Sequence, residues 1–557
     1  MRVKLTLAVA VPFLLLSTVA GIQACKQRGP QPPAPQVAPR AAPASSAASP
    51  APQLRPAALA DAPPGIDWLP GDEVSAAFAK AATSHRPVLL FWGATWCPYC
   101  KDLKANVFSR PEFREKLRLF VPVYLDGDTD GAQKWGDRFR IAGYPTVLVL
   151  RSDQTELARI AGGMDLSQYA SVLDLVLGDV DPVDRLLTRV AESRAGTPSS
   201  AGPTADDCRR LAYNAWSLDA TLDEDASGLG KSLDAAARHC ALIDKRQHSR
   251  LAVIATGLAA VGEAKALAAG QPPSAALKQM TARVQSVLND REWVVKNADV
   301  LKYLGEPFFH AIARSSPDKS ADWLARWSAA MDAAADDPHY TGGDRLAFIN
   351  SKLVATKALA PDRKIPPPLV ADANRRIDAF LESTKDPMPR AGVVNAALNV
   401  LETLGDPQRG YDIAAAEVPA SKTPYYYLAD MADFADELGR RDEAVSLRAR
   451  AYAESRGAAT RFQWGTGYLL ELIRVRPDDE AAIRATALQV LGELDGPDRL
   501  YSRSRTRLSQ ISSTLKQWSA GGRHGETMTA IRNRMSEICA RIPEPDGARQ
   551  SCSGFLA

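Results

Sequence analysis

The stretch that most constrains this chain is Ala94-Thr95-Trp96-Cys97-Pro98-Tyr99-Cys100, a Cys-x-x-Cys with a Trp directly before it. It follows the apolar run Val88-Leu89-Leu90-Phe91-Trp92, bounded by Pro87 and Gly93, which reads as a buried strand. After the second cysteine, Lys101, Asp102, Leu103, Lys104, Val107 and Phe108 mix polar and apolar residues as a helix does. The two thiols therefore sit where a strand ends and a helix begins. Unpaired backbone N–H groups and the positive end of the helix dipole favour a thiolate there. Cys97 gains most, and Cys100, one turn in, is expected to be the more buried. The same spacing serves zinc, but a zinc site needs two further ligands. The next cysteine is Cys208, and His85 lies on the far side of the strand. A redox pair is favoured, with attack by Cys97 and resolution by Cys100 through a mixed disulfide.

A second stretch adds to this. Ile141-Ala142-Gly143-Tyr144-Pro145-Thr146 leads into Val147-Leu148-Val149-Leu150, another strand, and a proline at the head of a central strand needs a reason. From Trp68 to about Gly178 the chain resembles the thioredoxin fold, with Pro145 at the position of that family's cis-proline. The wording from Arg86-Pro87-Val88 through Trp96-Cys97-Pro98-Tyr99-Cys100-Lys101 to Val107-Phe108 is most similar to the bacterial periplasmic thiol:disulfide interchange branch. That branch includes the electron-receiving soluble domains of membrane disulfide reductases. The resemblance implies Cys97 and Cys100 as the redox-active disulfide, and a substrate groove shaped by Trp96, Pro98, Tyr99, Tyr144 and Pro145. It implies protein thiols or disulfides as substrates, an upstream membrane electron donor, and no cofactor. Two departures stand out. Phe91 occupies a position where many thioredoxins carry a buried carboxylate, and Thr95 one where an acidic residue is frequent. Proton transfer to Cys100 would then need water or another group. Tyr99 in place of histidine leans the pair away from the strongly oxidising members.

The rest of the chain frames this module. Residues 1–25 read as an export signal: Arg2 and Lys4, then an apolar stretch from Leu5 to Ala20 broken by Pro12. Ile22-Gln23-Ala24-Cys25 resembles a bacterial lipoprotein cleavage box, which makes Cys25 a lipidation site and places the protein in the periplasm or outer cell envelope. The alternative is ordinary cleavage near Ala24. Residues 26–64 are dominated by Pro, Ala, Ser and Gln and read as an extended linker. A thioredoxin-like domain is expected over 65–180. Its elements are a helix from Asp72 to Ser84, the strand Val88 to Trp92, and a helix from Cys97 to Leu117 broken near Pro111. A strand from Leu119 to Leu125 and a helix from Gly131 to Phe139 follow. A hairpin of Thr146 to Arg151 with Glu156 to Ala161 and a closing helix from Asp165 to Leu177 complete it. Asp126-Gly127-Asp128-Thr129-Asp130-Gly131, with Asp137 at the twelfth place, imitates half of a calcium loop. A strand precedes it and Gln133 stands where an apolar residue is usual, so a solvated turn is favoured and no metal is assigned.

Residues 181–557 are Ala-, Leu- and Arg-rich, with helix-length segments separated by Gly, Pro and Asp. Phe434 to Val445, turning at Gly439, resembles a tetratricopeptide-type hairpin, and Pro477-Asp478-Asp479-Glu480-Ala481 restarts a helix. The fold class is thus an α/β thioredoxin-like domain followed by a large all-α helical-hairpin region. Of seven cysteines, a lipidated Cys25 and the active pair leave four. Cys208 with Cys240 and Cys539 with Cys552 is the simplest of three pairings, and a relay of electrons from one such pair to Cys97 is the functional alternative. His239, His248, His310, His339 and His524 are scattered without metal-ligand spacing. Asp336-Asp337-Pro338-His339 reads as a turn, and Trp323 with Trp327 as core. Among Tyr425, Tyr426 and Tyr427 at least one is expected at the surface, and Arg503, Arg505 and Arg507 are expected to form a solvated basic face. A net charge of +3 carries no nucleic-acid signature.

The function implied is an exported thiol–disulfide oxidoreductase, with reduction favoured over oxidation and the helical half recruiting the client. The rival is a non-catalytic cell-envelope scaffold that uses its helices for protein binding. A third class, a carbohydrate enzyme in the helical half, would be marked by a pair of inward-facing carboxylates.

Overall fold

A computed structural model describes residues 59–161, 166–178, 180–192, 203–216, 222–360, 362–496, 499–501, 503–542 and 547–555. Residues 1–58, with the export signal, Cys25 and most of the linker, and residues 162–165 lie outside the described residues.

The first unit is built on β2 (Val88–Gly93), every residue of which is buried. Being covered on both faces, it reads as a continuous apolar run with no alternation. Successive side chains still point to opposite sides. Leu89 and Phe91 join one core with Trp68, Phe108, Phe113 and Tyr169. Val88, Leu90 and Trp92 join the other with Val74, Phe78, Ala132 and Ile141. The sheet has the order β1-β3-β2-β4-β5, with β1 at Leu69–Pro70, β3 at Val121–Asp126, β4 at Thr146–Leu150 and β5 at Glu156–Ala161. β2 runs parallel to β3 and antiparallel to β4, pairing Val88 with Val121 on one side and with Leu150 on the other. Helices α1 (Val74–Ser84), α2 (Pro98–Leu103), α3 (Pro111–Leu117), α4 (Asp130–Arg138) and α5 (Leu166–Leu175) complete the unit. The helix expected from Cys97 to Leu117 is three pieces, because a π-helical turn at Lys104–Phe108 and the start of α3 at Pro111 interrupt it. The strand expected from Leu119 begins at Val121, leaving Leu119 half exposed. Packing already starts at Leu59 and Ala62, both buried against this core.

From Val183 onward the described chain is helical. Gly439, at φ +76°, lets the Pro424–Glu437 helix turn directly into Arg441–Glu454, as the sequence indicated. The helix restarting after Pro477 is Glu480–Gly492. Trp323 and Trp327 are core residues against Phe308, and His339 closes a turn on Asp337. Disulfides join Cys208 to Cys240 and Cys539 to Cys552, the simplest pairing. The helices share one core over Val183–Leu401 and a second over Val445–Cys552. A third core lies between them, and it includes Trp96, Cys97 and Cys100.

Candidate active site

Cys97 caps the N-terminus of α2. Its backbone is extended, its sulfur accepts from the Cys100 N–H at 3.1 Å, and Pro98 takes the first helical position, where no N–H is needed. Cys97 and Cys100 are joined as a disulfide. The Tyr144–Pro145 peptide bond is cis, as the resemblance implied. Phe91, in place of a carboxylate, packs against Trp68, Phe108 and Tyr124. Polar groups remain on that side of the sheet: Asp61 accepts from Lys104 and from the Tyr124 hydroxyl at 2.9 Å. Asp126, whose strand position pairs with Gly93, has its carboxyl pushed up to about 6 by burial and by Asp128. Asp61 and Lys104 were not singled out in the sequence, since neither belongs to a local motif.

The helical region covers this site. Cys97 is 2% and Cys100 0% exposed, and Trp96 only 8%. Val394 and Leu398 of the Pro387–Leu404 helix, with Leu428 and Met431 of Pro424–Glu437, pack in the same cluster as the two cysteines. The Trp96 ring stacks on Tyr426 (centroids 6.3 Å, planes 19° apart) and meets the Trp464 edge. Its Nε1 donates to Asp128 Oδ1 at 3.0 Å and to Thr460 Oγ1 at 3.1 Å. Tyr99 receives a hydrogen bond from Asn395 Nδ2 at 3.2 Å, and Asn395 in turn accepts from Tyr426 at 2.9 Å. The five groove candidates therefore divide. Trp96 and Tyr99 meet helical residues directly, Pro98 and Pro145 are buried, and Tyr144 packs against the shared cluster.

Three expectations are corrected. None of Tyr425, Tyr426 and Tyr427 is exposed, because their helix lies against the dithiol. Arg503, Arg505 and Arg507 do not form a solvated face. Arg505 pairs with Asp137, and Arg503 lies over the Trp96 and Tyr144 rings. Arg507 is half buried, which lowers its pKa to about 10. The acidic loop is likewise more than a solvated turn: Asp128 accepts from Thr460, Asp130 pairs with Arg499, and Asp137 with Arg505. Among the described residues no group of three or more His, Cys, Asp and Glu side chains is arranged to hold a metal.

The covered helix also carries a titrating group. Burial pushes the Asp102 carboxyl up to about 7, with Asp344 adding to the shift and Lys302 and Asn106 opposing it. A carboxyl whose pKa rises on folding stabilises the folded form while protonated. That contribution is full below about pH 4 and is lost as the pH climbs to about 7. Asp102→Asn is expected to flatten the decline of the urea midpoint over this window. Parallel pH profiles for the two proteins would refute the assignment.

The fold, the cis-proline loop and the Cys97–Cys100 disulfide define this part of the chain as a thioredoxin-like domain. Residues 74–177 match the family model described as a thioredoxin-like domain. Thiol:disulfide interchange protein DsbD 1 of Pseudomonas aeruginosa is 29% identical over 105 residues, 18% of this chain and 18% of that protein. The DsbD proteins of Salmonella paratyphi A (29% over 106 residues, 18% of each chain) and Haemophilus influenzae (25% over 101 residues, 17% of each chain) are also similar to this chain. The chain thus covers less than a fifth of the length of these relatives.

Proposed function

We propose that this protein is an exported thiol–disulfide oxidoreductase that reduces protein disulfides. The observation that carries the reading is the Cys97–Cys100 disulfide at the N-terminus of α2 in a thioredoxin-like domain. In the reduced form the Cys97 thiolate attacks a client disulfide, forming a mixed disulfide and expelling one client thiolate. Cys100, once deprotonated, attacks the Cys97 sulfur and expels the second. Two electrons pass to the client and the Cys97–Cys100 disulfide is restored. Trp96, Pro98, Tyr99, Tyr144 and Pro145 line the client groove. An upstream thiol donor at the membrane regenerates the dithiol, and Cys25 carries the lipid that holds the protein at the periplasmic or outer envelope surface. The domain limits are 1–25 for the signal, 26–64 for the linker, 65–180 for the redox module and 181–557 for the client-recruiting helices.

The test is turnover of a disulfide-bonded protein such as insulin with a dithiol donor. Cys97→Ser with Cys100→Ser is expected to abolish it. A reduction potential of about −270 mV fits a reductase, and one of about −120 mV would reverse the direction of electron flow. A second reading, a non-catalytic scaffold, is favoured by one observation: both cysteines are buried beneath the chain's own helices. Wild-type-like client binding and envelope phenotype in the double-serine variant would establish it in place of the enzyme.

A further inference from the structure

The three arginines at the start of the Arg503–Trp518 helix have separate fates, and one of them lies over the two aromatic rings that precede Cys97 and Pro145. The Arg503 guanidinium carbon lies 5.2 Å from the Trp96 ring centre and 5.0 Å from that of Tyr144. Trp96 is the residue before Cys97, and Tyr144 is the residue before the cis-proline. Arg503 therefore bridges the two loops that flank the disulfide. Trp96, Cys97 and Cys100 share one apolar cluster, and Tyr144 packs against it. In such surroundings a unit charge acts well beyond contact distance.

We propose that Arg503, contributed by the helical region, is a positioning residue of the redox site: it holds Trp96 and Tyr144 in place and its charge stabilises the Cys97 thiolate formed on reduction. A cation beside a cysteine lowers the thiol pKa. Reduction by a dithiol donor breaks the Cys97–Cys100 bond and oxidises the donor to a disulfide. Of the two protons the donor gives up, one goes to Cys100 and the other to solvent, leaving Cys97 as the thiolate that Arg503 favours. The helices thus complete the site as well as cover it. By linkage, reduction tightens their closure as much as closure favours the thiolate.

The other charges around the site bear on this. Asp128, on the loop after β3, opposes Arg503, but it already accepts from Trp96 and Thr460, and burial raises its carboxyl pKa. Asp126, the last residue of β3, is pushed up to about 6 and Asp430, on the Tyr426 helix, to about 8, so Asp430 is largely neutral at pH 7. On α2, Asp102 is raised to about 7 and burial lowers Lys101. Arg507 lies one turn from Arg503, and Arg448 of the Arg441–Glu454 helix is paired with Asp433.

The inference rests on the redox reading of Cys97, and its test is separable from that reading. In the full chain, reduced mildly, the pH dependence of Cys97 alkylation is followed by mass spectrometry of the Cys97 peptide, and the Cys97–Cys100 potential by equilibration with a thiol buffer. Arg503→Gln is expected to raise the alkylation midpoint by about one unit, a tenfold loss of thiolate at a given pH. It is expected to make the potential up to about 30 mV more negative. Arg503→Lys should retain part of both effects. Arg505→Gln removes a neighbouring positive charge on the same helix, with its Asp137 pair, while leaving Arg503 over the Trp96 and Tyr144 rings, and should move neither. An unchanged midpoint and potential in Arg503→Gln, or equal shifts in Arg505→Gln, would overturn the proposal. Failure of the reductase reading would instead appear as a wild-type chain that does not turn over insulin with a dithiol donor, whatever the Cys97 midpoint.

Discussion

Trp96→Ala is expected to uncover the dithiol. The ring is nearly buried and is held from both units: Asp128 and Thr460 take its N–H, Tyr426 stacks on it, Trp464 meets it edge-on, and Arg503 lies over it. Truncating a buried Trp costs about 3–5 kcal/mol through lost contacts and the cavity left behind. Here the cost falls largely on the contact between the redox module and the helices. At about 1.4 kcal/mol per tenfold, the open population rises about 10²–10³-fold. The measurement is the rate at which a small dithiol reduces the Cys97–Cys100 disulfide under native conditions. A rate equal to wild type would mean that the tryptophan does not hold the cover in place.

Gly457→Ala tests the same contact from the other side. Gly457 precedes the Ala458–Val475 helix at φ +77°, and a methyl group there would lie 2.7 Å from Asp128 Cβ and 3.0 Å from Asp128 O. At φ +77° and ψ 137° the backbone lies outside the left-handed helical well, where a residue with a side chain costs about 1–3 kcal/mol. The neighbour on the other side is partly backbone and cannot rotate away. Separation of the loop from the helix relieves the overlap, so the disulfide should become reducible about tenfold faster or more. The strain at Gly457 persists after separation, so overall stability should fall as well. If stability drops while reduction stays slow, the glycine serves only its own helix and not the docking.

The dithiol, its strand and its helix start were legible because each is written in adjacent residues. Pro98 presets the first helical turn, Pro145 marks the loop before β4, and the unbroken apolar run of β2 announces a strand buried on both faces. The hairpin at Gly439 was legible for the same reason, since the turn needs a left-handed residue at one position. The break between α2 and α3 was visible at Pro111. The π turn at Lys104–Phe108 was not, because nothing in those residues forbids an ordinary helix.

What the local pattern misjudged lies at contacts between residues hundreds of positions apart. Read locally, Arg503 and at least one of Tyr425, Tyr426 and Tyr427 belong at the surface. They are buried or stacked because the helices fold back onto Trp96. Adjacent residues carry the pieces of the dithiol module: two cysteines at a helix start, a proline-marked loop before β4, and, further on, helices long enough to form a second body. Whether the dithiol is open to solvent depends instead on contacts between distant segments. Burial of Cys97 is the outcome of many weak contacts between two units, among them Trp96 with Tyr426, Asn395 with Tyr99, and Asp130 with Arg499. No single residue type at any one position encodes their sum.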